Sequence, residues 1–546
     1  MIAIQAGLRP SVLVIGLAVV TITSQATADE PTLLGTAITP SIATEPATLE
    51  QSALEDSAKA KDSDTVIKDQ LIEEAKPTSA KVSMAKETTV NQPKRTEEKT
   101  AVSGHNKYDI EQLQADPLLF DKTLNQAISA KDWQSVVQLL PYYRALASSD
   151  PTLIKFAQAS IEQSQNKFKP IISLYQAQLL DKPEDYKVRL SLALALQADK
   201  QFTEAKAQLL LLQGVAVPKA ISTKAERALA SINKIEAWRF NVSTNLVIDP
   251  NINDAPPKYI QDRYGKVIEQ EVGSDVSVSA SANKRINLPK RYYATVGSNV
   301  FLDGFWKDDD EINYLLTGSV GIGYNDPKNE WALTPSITKR IYDDTSYSQR
   351  QALNLRGSRW LGKKLRMNAN TTWSTETFDR DLTDRRKTDS RYLGVSGLYV
   401  QDAQESLVAT IGHQETELPN SVSSSSEYNT LSIGWNKQWE NNFATAVTVS
   451  YMVKDYADPA LRYGDGSLTE AQAAALTRYY NSVGGEFGRL RQDRTSGLAL
   501  QVWKRDFTFY GVTPRLNLKY NKTVSNFDYY DDRKDKAAII QLSKNF

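Results

Sequence analysis

The chain has 546 residues, a length that allows several domains, and its 65 basic and 65 acidic residues give a formal net charge of zero. This charge balance argues against a protein dedicated to nucleic-acid binding. The chain contains no cysteine, which excludes disulfide bonds and also a lipid-anchored N-terminal cysteine.

The first 28 residues are predicted to form a signal peptide. Arg9 precedes an apolar run at residues 12–20, and Ala26-Thr27-Ala28 provides a cleavage site before Asp29. The apolar run is too short to cross a membrane as a helix. No other stretch approaches the roughly 20 apolar residues that a membrane helix needs, so any membrane insertion has to come from β-strands.

Residues 29–107 differ in composition, since they are rich in Ala, Thr, Ser, Glu, Lys and Pro and contain no aromatic residue. Such a segment buries too little apolar surface to offset the loss of chain entropy on folding. We therefore predict a disordered periplasmic tether. Chaperone capture is the alternative to a plain spacer.

Residues 108–236 have helical periodicity, and the pattern repeats. Trp133, Phe168 and Phe202 are 35 and 34 residues apart, and each opens a similar amphipathic segment. The spacing resembles that of tetratricopeptide repeats, whose period is about 34 residues; an unrelated helical bundle is the alternative. Such repeats stack into an α-solenoid whose concave face binds polypeptide. The last predicted helix, at 220–235, leads directly into the first strand.

Residues 237–546 repeat a different pattern about fourteen times, in which roughly ten residues alternate between apolar and small or polar. In the first strand Phe240 and Val242 share one face, and Arg239 and Asn241 share the other. Lipid offers no hydrogen-bonding partner to the backbone, so a sheet that spans it must close on itself. The predicted fold is an α-solenoid followed by a transmembrane antiparallel β-barrel of about 14 strands. A large soluble all-β domain is the alternative.

The connections between the predicted strands alternate in length. The short turns are at residues 287–290, 325–329, 361–364, 402–405, 440–442 and 504–507. The connections between them are predicted to be longer, as in barrels with periplasmic turns and extracellular loops. Aromatic residues beside the short turns are predicted to form the periplasmic girdle. These residues are Trp238, Tyr324, Trp331, Trp360, Trp439, Phe443, Trp503, Phe509 and Phe546.

Two further predictions concern the barrel wall. Pro335 and Pro514 fall inside strands, where each removes a ladder hydrogen bond; a β-bulge is the preferred interpretation over a weak seam. The polar face of the strands supplies candidate lumen residues, which are basic but interleaved with asparagines. The candidates are Arg239, Asn241, Arg356, Arg366, Asn368, Asn370, Arg515, Asn517 and Lys519.

The connection after the first strand has a distinctive sequence over residues 249–257. Its Asp-Pro, Asn and Pro-Pro elements favour an extended, turn-rich loop. The motif positions are Asp249, Asn251, Ile252, Asn253, Ala255 and Pro256. Together with the signal peptide, the 34-residue repeats and a final aromatic residue, Phe546, which serves as a C-terminal barrel-assembly signal, this motif resembles the surface lipoprotein assembly modulator (Slam) family.

The resemblance covers residues 108–546 and implies a fourteen-stranded outer-membrane translocon in a Gram-negative bacterium. It implies delivery of specific lipoproteins, or of soluble haem-binding proteins, to the cell surface. The implied partners are the passenger protein, outer-membrane lipid, the barrel-assembly machinery and periplasmic chaperones. One departure is Lys544, which stands where the assembly signal usually has an apolar residue.

No set of residues predicts catalysis, a cofactor or a metal site, so the sequence does not indicate an enzyme. His105 and His413 have no nucleophile or ligand partner in the sequence. A helix at 468–480 in the 456–489 connection is compatible with a plug or with a docking loop. A tetratricopeptide-containing polysaccharide exporter and a passive porin are the competing functions, and the attached helical domain counts against the porin.

Overall fold

The computed structural model describes residues 109–251, 270, 272–305, 312–342, 344–379, 387–418, 425–457, 475, 478, 490–526 and 532–545. The predicted signal peptide and tether, Phe546, and all but Asp249 to Asn251 of the 249–257 motif lie outside these residues, as does most of the predicted helix at 468–480. The chain forms two compact units, and the boundary between them lies between Ala195 and Leu196.

Eight helices precede the barrel in the described part of the chain. Their bounds are α1 Ile110–Ala115, α2 Pro117–Ser129, α3 Trp133–Arg144, α4 Pro151–Ser164, α5 Lys169–Asp181, α6 Tyr186–Ala198, α7 Phe202–Gln213 and α8 Lys219–Glu236. None of the described helices combines the length and the apolar character needed to cross a membrane. The unit boundary falls inside α6, so α7 and α8 belong to the same unit as the barrel.

The predicted repeat is confirmed by the backbone of the inter-helix turns. Lys131, Asn166 and Lys200 lie in the turns α2–α3, α4–α5 and α6–α7, and all three have positive φ angles of 55°, 63° and 63°. A left-handed residue of this kind ends one helix and lets the chain reverse into the next. Two residues later stand the aromatic residues Trp133, Phe168 and Phe202, so each repeat has the same turn followed by the same packing residue.

The core of the first unit forms between α2, α3 and α4. Phe120 and Tyr143 are fully buried and meet edge to face, with ring centroids 5.2 Å apart. The Tyr143 hydroxyl donates a hydrogen bond to the Asp121 carboxylate and accepts one from the backbone N–H of Asp150 at 3.0 Å. Burial and the hydrogen bond to Asp121 raise the pKa of Tyr143 to about 12. One side chain therefore ties three helices together.

Fourteen antiparallel strands follow and close into a barrel in which each strand pairs with its sequence neighbours and β1 pairs with β14. The strands β1 to β7 are Arg239–Asp249, Gly273–Asn287, Tyr292–Phe305, Asn313–Asn325, Asn329–Tyr342, Thr345–Leu361 and Leu365–Phe378. The strands β8 to β14 are Lys387–Val400, Glu405–Glu417, Ser426–Gln438, Phe443–Tyr456, Gln492–Lys504, Thr513–Ser525 and Arg533–Asn545. The predicted closed barrel is confirmed.

The two faces of the wall differ in chemistry, as the period-two pattern predicts. Directly paired residues share a face, so the pair Val296 and Val320 marks one face and the pair Asn299 and Thr317 marks the other. Val320 is 57% exposed and Ile411 is 65% exposed. We call the face with these exposed apolar side chains the outer face, and the opposite one the lumen face.

The six predicted short turns all fall at one end of the barrel, called here the short-turn end, and five of them are short in the structure. The prediction at 504–507 is wrong, because β12 ends at Lys504 and β13 begins only at Thr513. At the opposite end one prediction is wrong. β5 ends at Tyr342 and β6 begins at Thr345, so this connection is as short as a hairpin turn. Asp344 in it has a positive φ of 53° and the ladder shifts register between Arg340 and Ile341. The two strands thus stay paired to their tips, which leaves no chain for a long loop.

The girdle prediction is wrong for two of its aromatic residues. Trp360 pairs with Arg366, and Trp503 pairs with Arg515; both tryptophans therefore belong to the lumen face. The guanidinium group of Arg515 lies 4.9 Å from the Trp503 ring centroid, as a cation–π contact requires. Nearness to a short turn does not by itself decide which face an aromatic residue occupies.

The predicted bulges at the two prolines are also wrong. Ser319 pairs with Ser336 and Ile322 pairs with Leu333 in one common register, while the two positions between them on each strand, including Pro335, are unpaired. Because proline has no N–H, the β4–β5 ladder is interrupted there without being shifted. Pro514 is the second residue of β13, and the ladder to β12 begins after it, at Arg515.

Candidate functional site

The short-turn end of the barrel is where the helices meet the strands. α8 ends at Glu236 and β1 begins at Arg239, so two residues separate helix from strand. The turn between α6 and α7, at residues 199–201, and the turn between β2 and β3, at residues 288–291, both lie at this end. We call the opening of the lumen here the entrance.

A buried ion pair joins the two turns. Nη2 of Arg291 lies 2.7 Å from both carboxylate oxygens of Asp199, whose side chain is only 2% exposed. Nε of Arg291 donates to the Asp199 carbonyl oxygen at 3.2 Å, and Nη1 donates to the Tyr324 hydroxyl at 3.2 Å. Burial alone would lower the pKa of Arg291, but its bonds to Asp199 and Tyr324 outweigh burial and raise it. The guanidinium therefore stays charged.

Two glutamates add further contacts between the helices and the β2–β3 turn. Oε1 of Glu204 accepts a hydrogen bond from the backbone N–H of Lys290 at 2.6 Å. Glu236, at the end of α8, accepts from Nδ2 of Asn287 at 3.1 Å and from Nζ of Lys206 at 2.6 Å. α7 and α8 are thus held at the entrance by carboxylates from both helices.

From this contact a network runs along the lumen face. Arg285 donates to Asn287 at 3.1 Å, and its guanidinium lies 3.7 Å from the Tyr293 ring centroid and 5.8 Å from that of Phe202. The Tyr293 hydroxyl donates to Glu330 at 2.8 Å. A Cβ on Gly323 would lie 2.2 Å from Cζ of the Tyr293 ring, so only glycine leaves room for this ring.

The network continues to β7 through Glu330. Nη2 of Arg366 lies 3.6 Å from Oε2 of Glu330 and donates to the Ser358 hydroxyl at 2.8 Å. Lys200, in the α6–α7 turn, lies close enough to Arg285 and Glu330 for their charges to affect its pKa. Burial and the charge of Arg285 lower the pKa of Lys200, while Glu330 opposes the change. The α6–α7 turn therefore belongs to the same charged cluster as the strands.

All nine predicted lumen residues have the periodicity of the lumen face. Arg356 pairs directly with Asn370, Asn368 donates to Ser396 at 3.2 Å, and Asn517 stands between the exposed Leu516 and Leu518. The structure brings Arg239 and Arg356 close enough to Arg285 for their charges to act on it. Arg366 joins them through Glu330, and Arg515 and Lys519 lie on β13.

Several residues of the entrance were absent from the prediction. Arg285 and Tyr293 have the same alternation that singled out Arg239, so the pattern could have found them. Asp199 and Arg291 could not have been found, because 92 residues separate them and neither stands in a local motif. Of the 249–257 motif, the described part shows Asp249 accepting a hydrogen bond from the Asn251 N–H at 2.8 Å, which begins the predicted turn.

His413 has partners that the sequence did not reveal. Its Nδ1 lies 2.9 Å from Oδ1 of Asn429, and it groups with Glu415 and Glu427, whose ligand atoms lie within 4.8 Å of one another. The β9–β10 register creates this group. Arg391 lies 3.5 Å from Glu415 and already balances part of its charge, so the group has an ordinary role as a surface ion-pair cluster.

The chain matches two family models. Residues 238–546 match "Surface lipoprotein assembly modifier", and residues 106–209 match "Surface lipoprotein assembly modifier, N-terminal TPR repeats". A surface lipoprotein assembly modifier of Pasteurella multocida is 23% identical over 83% of this chain and 88% of its own length. One of Neisseria meningitidis is 24% identical over 80% and 85%. The "Hemophilin secretion modulator" of Acinetobacter baumannii is 22% identical over 77% and 84%.

Solved structures of low similarity include OmpT of Vibrio cholerae, with 8% identity, a TM-score of 0.31 and coverage of 57% of this chain and 98% of that one. OprB of Pseudomonas putida has 7% identity, a TM-score of 0.35 and coverage of 58% and 96%. The family assignment rests on the sequence matches, which span both the helical repeats and the barrel. The protein therefore belongs to the surface lipoprotein assembly modifier family, as an outer-membrane β-barrel with an N-terminal repeat domain in the periplasm.

Proposed function

We propose that this protein is a translocon that delivers specific lipoproteins, or soluble haem- or metal-acquisition proteins, from the periplasm to the cell surface. The observation that carries the proposal is the attachment of α7 and α8 to the entrance through Asp199 and Arg291. A passenger held by the repeats would be released beside the opening of the lumen. The family name and the name of the Acinetobacter relative support the two passenger classes.

The size of the barrel fits this role. Eight strands leave an interior that side chains can fill, and sixteen to eighteen leave a wide aqueous channel, so fourteen strands give an intermediate lumen. Such a lumen passes an extended or partly folded chain rather than a folded domain. The periplasm supplies no nucleotide triphosphate, so net export has to come from differential binding, with folding outside the cell trapping the passenger.

A lipidated passenger needs a separate path for its acyl chains. Each methylene group gains about 0.8 kcal/mol in the membrane, so the chains stay in the bilayer while the polypeptide uses the lumen. This requires a wall that opens transiently. The interrupted β4–β5 ladder at Pro335 lacks the hydrogen bonds that close the wall elsewhere in the described strands, and we place the opening there.

The test is export in a host that lacks both the protein and its passenger. Each surface or secreted protein encoded by a neighbouring gene is tested as the candidate passenger, and exposure is measured by protease shaving of intact cells. Exposure is expected only when the barrel protein is present. Deleting residues 109–185 removes the first two repeats but keeps the Asp199–Arg291 attachment, and should reduce exposure strongly while the barrel still inserts.

Deleting residues 30–100 is the matched control, because the predicted tether contains no aromatic residue and is expected to bury little apolar surface with a passenger, so most export should remain. Equal loss in both deletions would contradict recruitment by the repeats. The translocon proposal itself fails if the passenger reaches the surface without the protein, or if only a polysaccharide depends on it.

A further inference from the structure

The entrance has a strongly positive lumen face. Four arginines and one lysine gather there with Glu330, while the neighbouring carboxylates of Asp199, Glu204 and Glu236 are bound to Arg291, to the Lys290 N–H and to Lys206. We call this set the entrance cluster, and its basic members are Lys200, Arg239, Arg285, Arg356 and Arg366. We propose that the entrance cluster is a binding site for acidic polypeptide segments, which deepens the translocon function and rests on it.

The members of the cluster fall into two groups by their existing contacts. Arg285 is stacked on Tyr293 and bonded to Asn287, and Arg366 is shared between Glu330 and Ser358. These two arginines are fixed in place. They maintain the positive potential at fixed positions, because the Tyr293 ring covers one face of Arg285 and Glu330 neutralises part of the charge of Arg366.

Arg239 and Arg356 are different. Both side chains are exposed, and neither forms a salt bridge with any described residue. They project from β1 and β6 on the lumen face, and each lies near enough to Arg285 for like charges to act between them. Two exposed guanidinium groups held in a field of like charge bind an anion more readily than isolated surface arginines do.

The guanidinium groups of the cluster favour carboxylates as ligands. A guanidinium group presents a planar fork of N–H donors that matches a carboxylate with two parallel hydrogen bonds. The position of the cluster favours a polypeptide ligand. Asp199 and Glu236 attach α7 and α8, the last helices before the barrel, at the same opening. A segment rich in Glu or Asp that leaves the repeats would meet Arg239 and Arg356 on entering the lumen.

The experiment uses the full-length protein reconstituted in a planar bilayer. The probes are a twelve-residue glutamate peptide, a lysine peptide of equal length, and an oligogalacturonate of matched charge, each added on the periplasmic side. The glutamate peptide is expected to block the current, and the lysine peptide is not. The double variant R239Q/R356Q should weaken the block by glutamate peptide roughly tenfold or more and shift the reversal potential away from anion selectivity.

R359Q is the matched control, since Arg359 is exposed on the outer face of the same strand as Arg356. It should leave both block and selectivity unchanged. If the pore conducts no measurable current, fluorescence anisotropy of the labelled glutamate peptide with the protein in detergent gives the same comparison of affinities.

Three results would overturn the inference: equal block by both peptides, an equal effect of R359Q, or oligogalacturonate blocking as well as the glutamate peptide. The last result would favour an acidic polysaccharide as the ligand. Each of these results can be distinguished from a failure of the translocon function, because passenger exposure in cells is measured in a separate assay. Normal export by R239Q/R356Q together with unchanged block would refute the cluster's role and leave the translocon standing.

Discussion

Replacing Arg291 by alanine should release α7 and α8 from the barrel without unfolding the barrel. The substitution removes both bonds to the Asp199 carboxylate, the bond to its carbonyl oxygen and the bond to Tyr324. What remains is a carboxylate with 2% of its side chain exposed, which keeps the hydrogen bond from Nε2 of Gln201 at 2.6 Å but loses its ion-pair partner. Leaving a buried charge without its partner costs roughly 3–5 kcal/mol.

The lower end of this range applies, because the Arg291 side chain is itself 30% exposed. A loss of about 3 kcal/mol corresponds to a roughly hundredfold increase in the population of the detached state. Amide hydrogen exchange reports that population directly, so the amides of α7 should exchange about two orders of magnitude faster in R291A. The strand amides should keep their protection, since the ladders do not depend on this pair.

R359A is the control for this substitution, because it removes an exposed arginine from the outer face. The second variant, D199N, removes the charge that Arg291 balances. R291A should therefore cost much less in a D199N background than alone, as expected for two directly coupled groups. Unchanged exchange in α7 on R291A, or full additivity of the two substitutions, would refute the attachment of the helices through this pair.

The remaining predictions concern the first unit, the entrance and the wall. Y143F should destabilise α2 to α4 by about 1–3 kcal/mol, because the backbone N–H of Asp150 loses its buried acceptor; local hydrogen exchange measures the loss, and an unchanged rate would contradict it. G323A should displace the Tyr293 ring, since the new Cβ would lie 2.2 Å from Cζ, and should shift the pore's conductance, whereas G318A, with open space around its new Cβ, should not. Exchange at Val320, which stands opposite Pro335 in the common register, should be faster than at Ile322, which faces the same neighbouring strand, because the β4–β5 ladder is interrupted at Val320; equal protection would contradict the interruption.

The elements that the sequence predicted correctly are those whose signal is local and periodic. Trp133, Phe168 and Phe202 recur at the repeat length, and the turns before them have the same backbone geometry. The strands were predictable because Phe240 and Val242 alternate with Arg239 and Asn241 over a span that the ladders then pair residue by residue. The same alternation supplied the lumen residues as candidates, and their role stays a prediction.

The parts that escaped prediction depend on which elements meet in space. Asp199 and Arg291 are 92 residues apart, and nothing around either indicates a buried pair. Trp360 and Trp503 lie beside short turns, which predicts a place in the girdle. Each stands one residue away from the outer-face positions of its strand, so both side chains belong to the lumen face. The missing N–H at Pro335 is predictable from the sequence. That the β4–β5 register is the same on both sides of Pro335, rather than shifted by a bulge, is seen only from the neighbouring residue pairs.

The central claim, that a passenger polypeptide moves through the lumen, is tested most directly by crosslinking during export. Asn354 and Leu355 are adjacent on β6 and lie on the lumen face and the outer face, respectively. A photo-crosslinking amino acid at each position, in cells where a passenger is stalled by a tightly folding C-terminal fusion, samples the two sides of the same wall. Crosslinks to the passenger are expected from position 354 and not from position 355. A passenger that reaches the surface while crosslinking only from 355, or from neither position, would contradict the account.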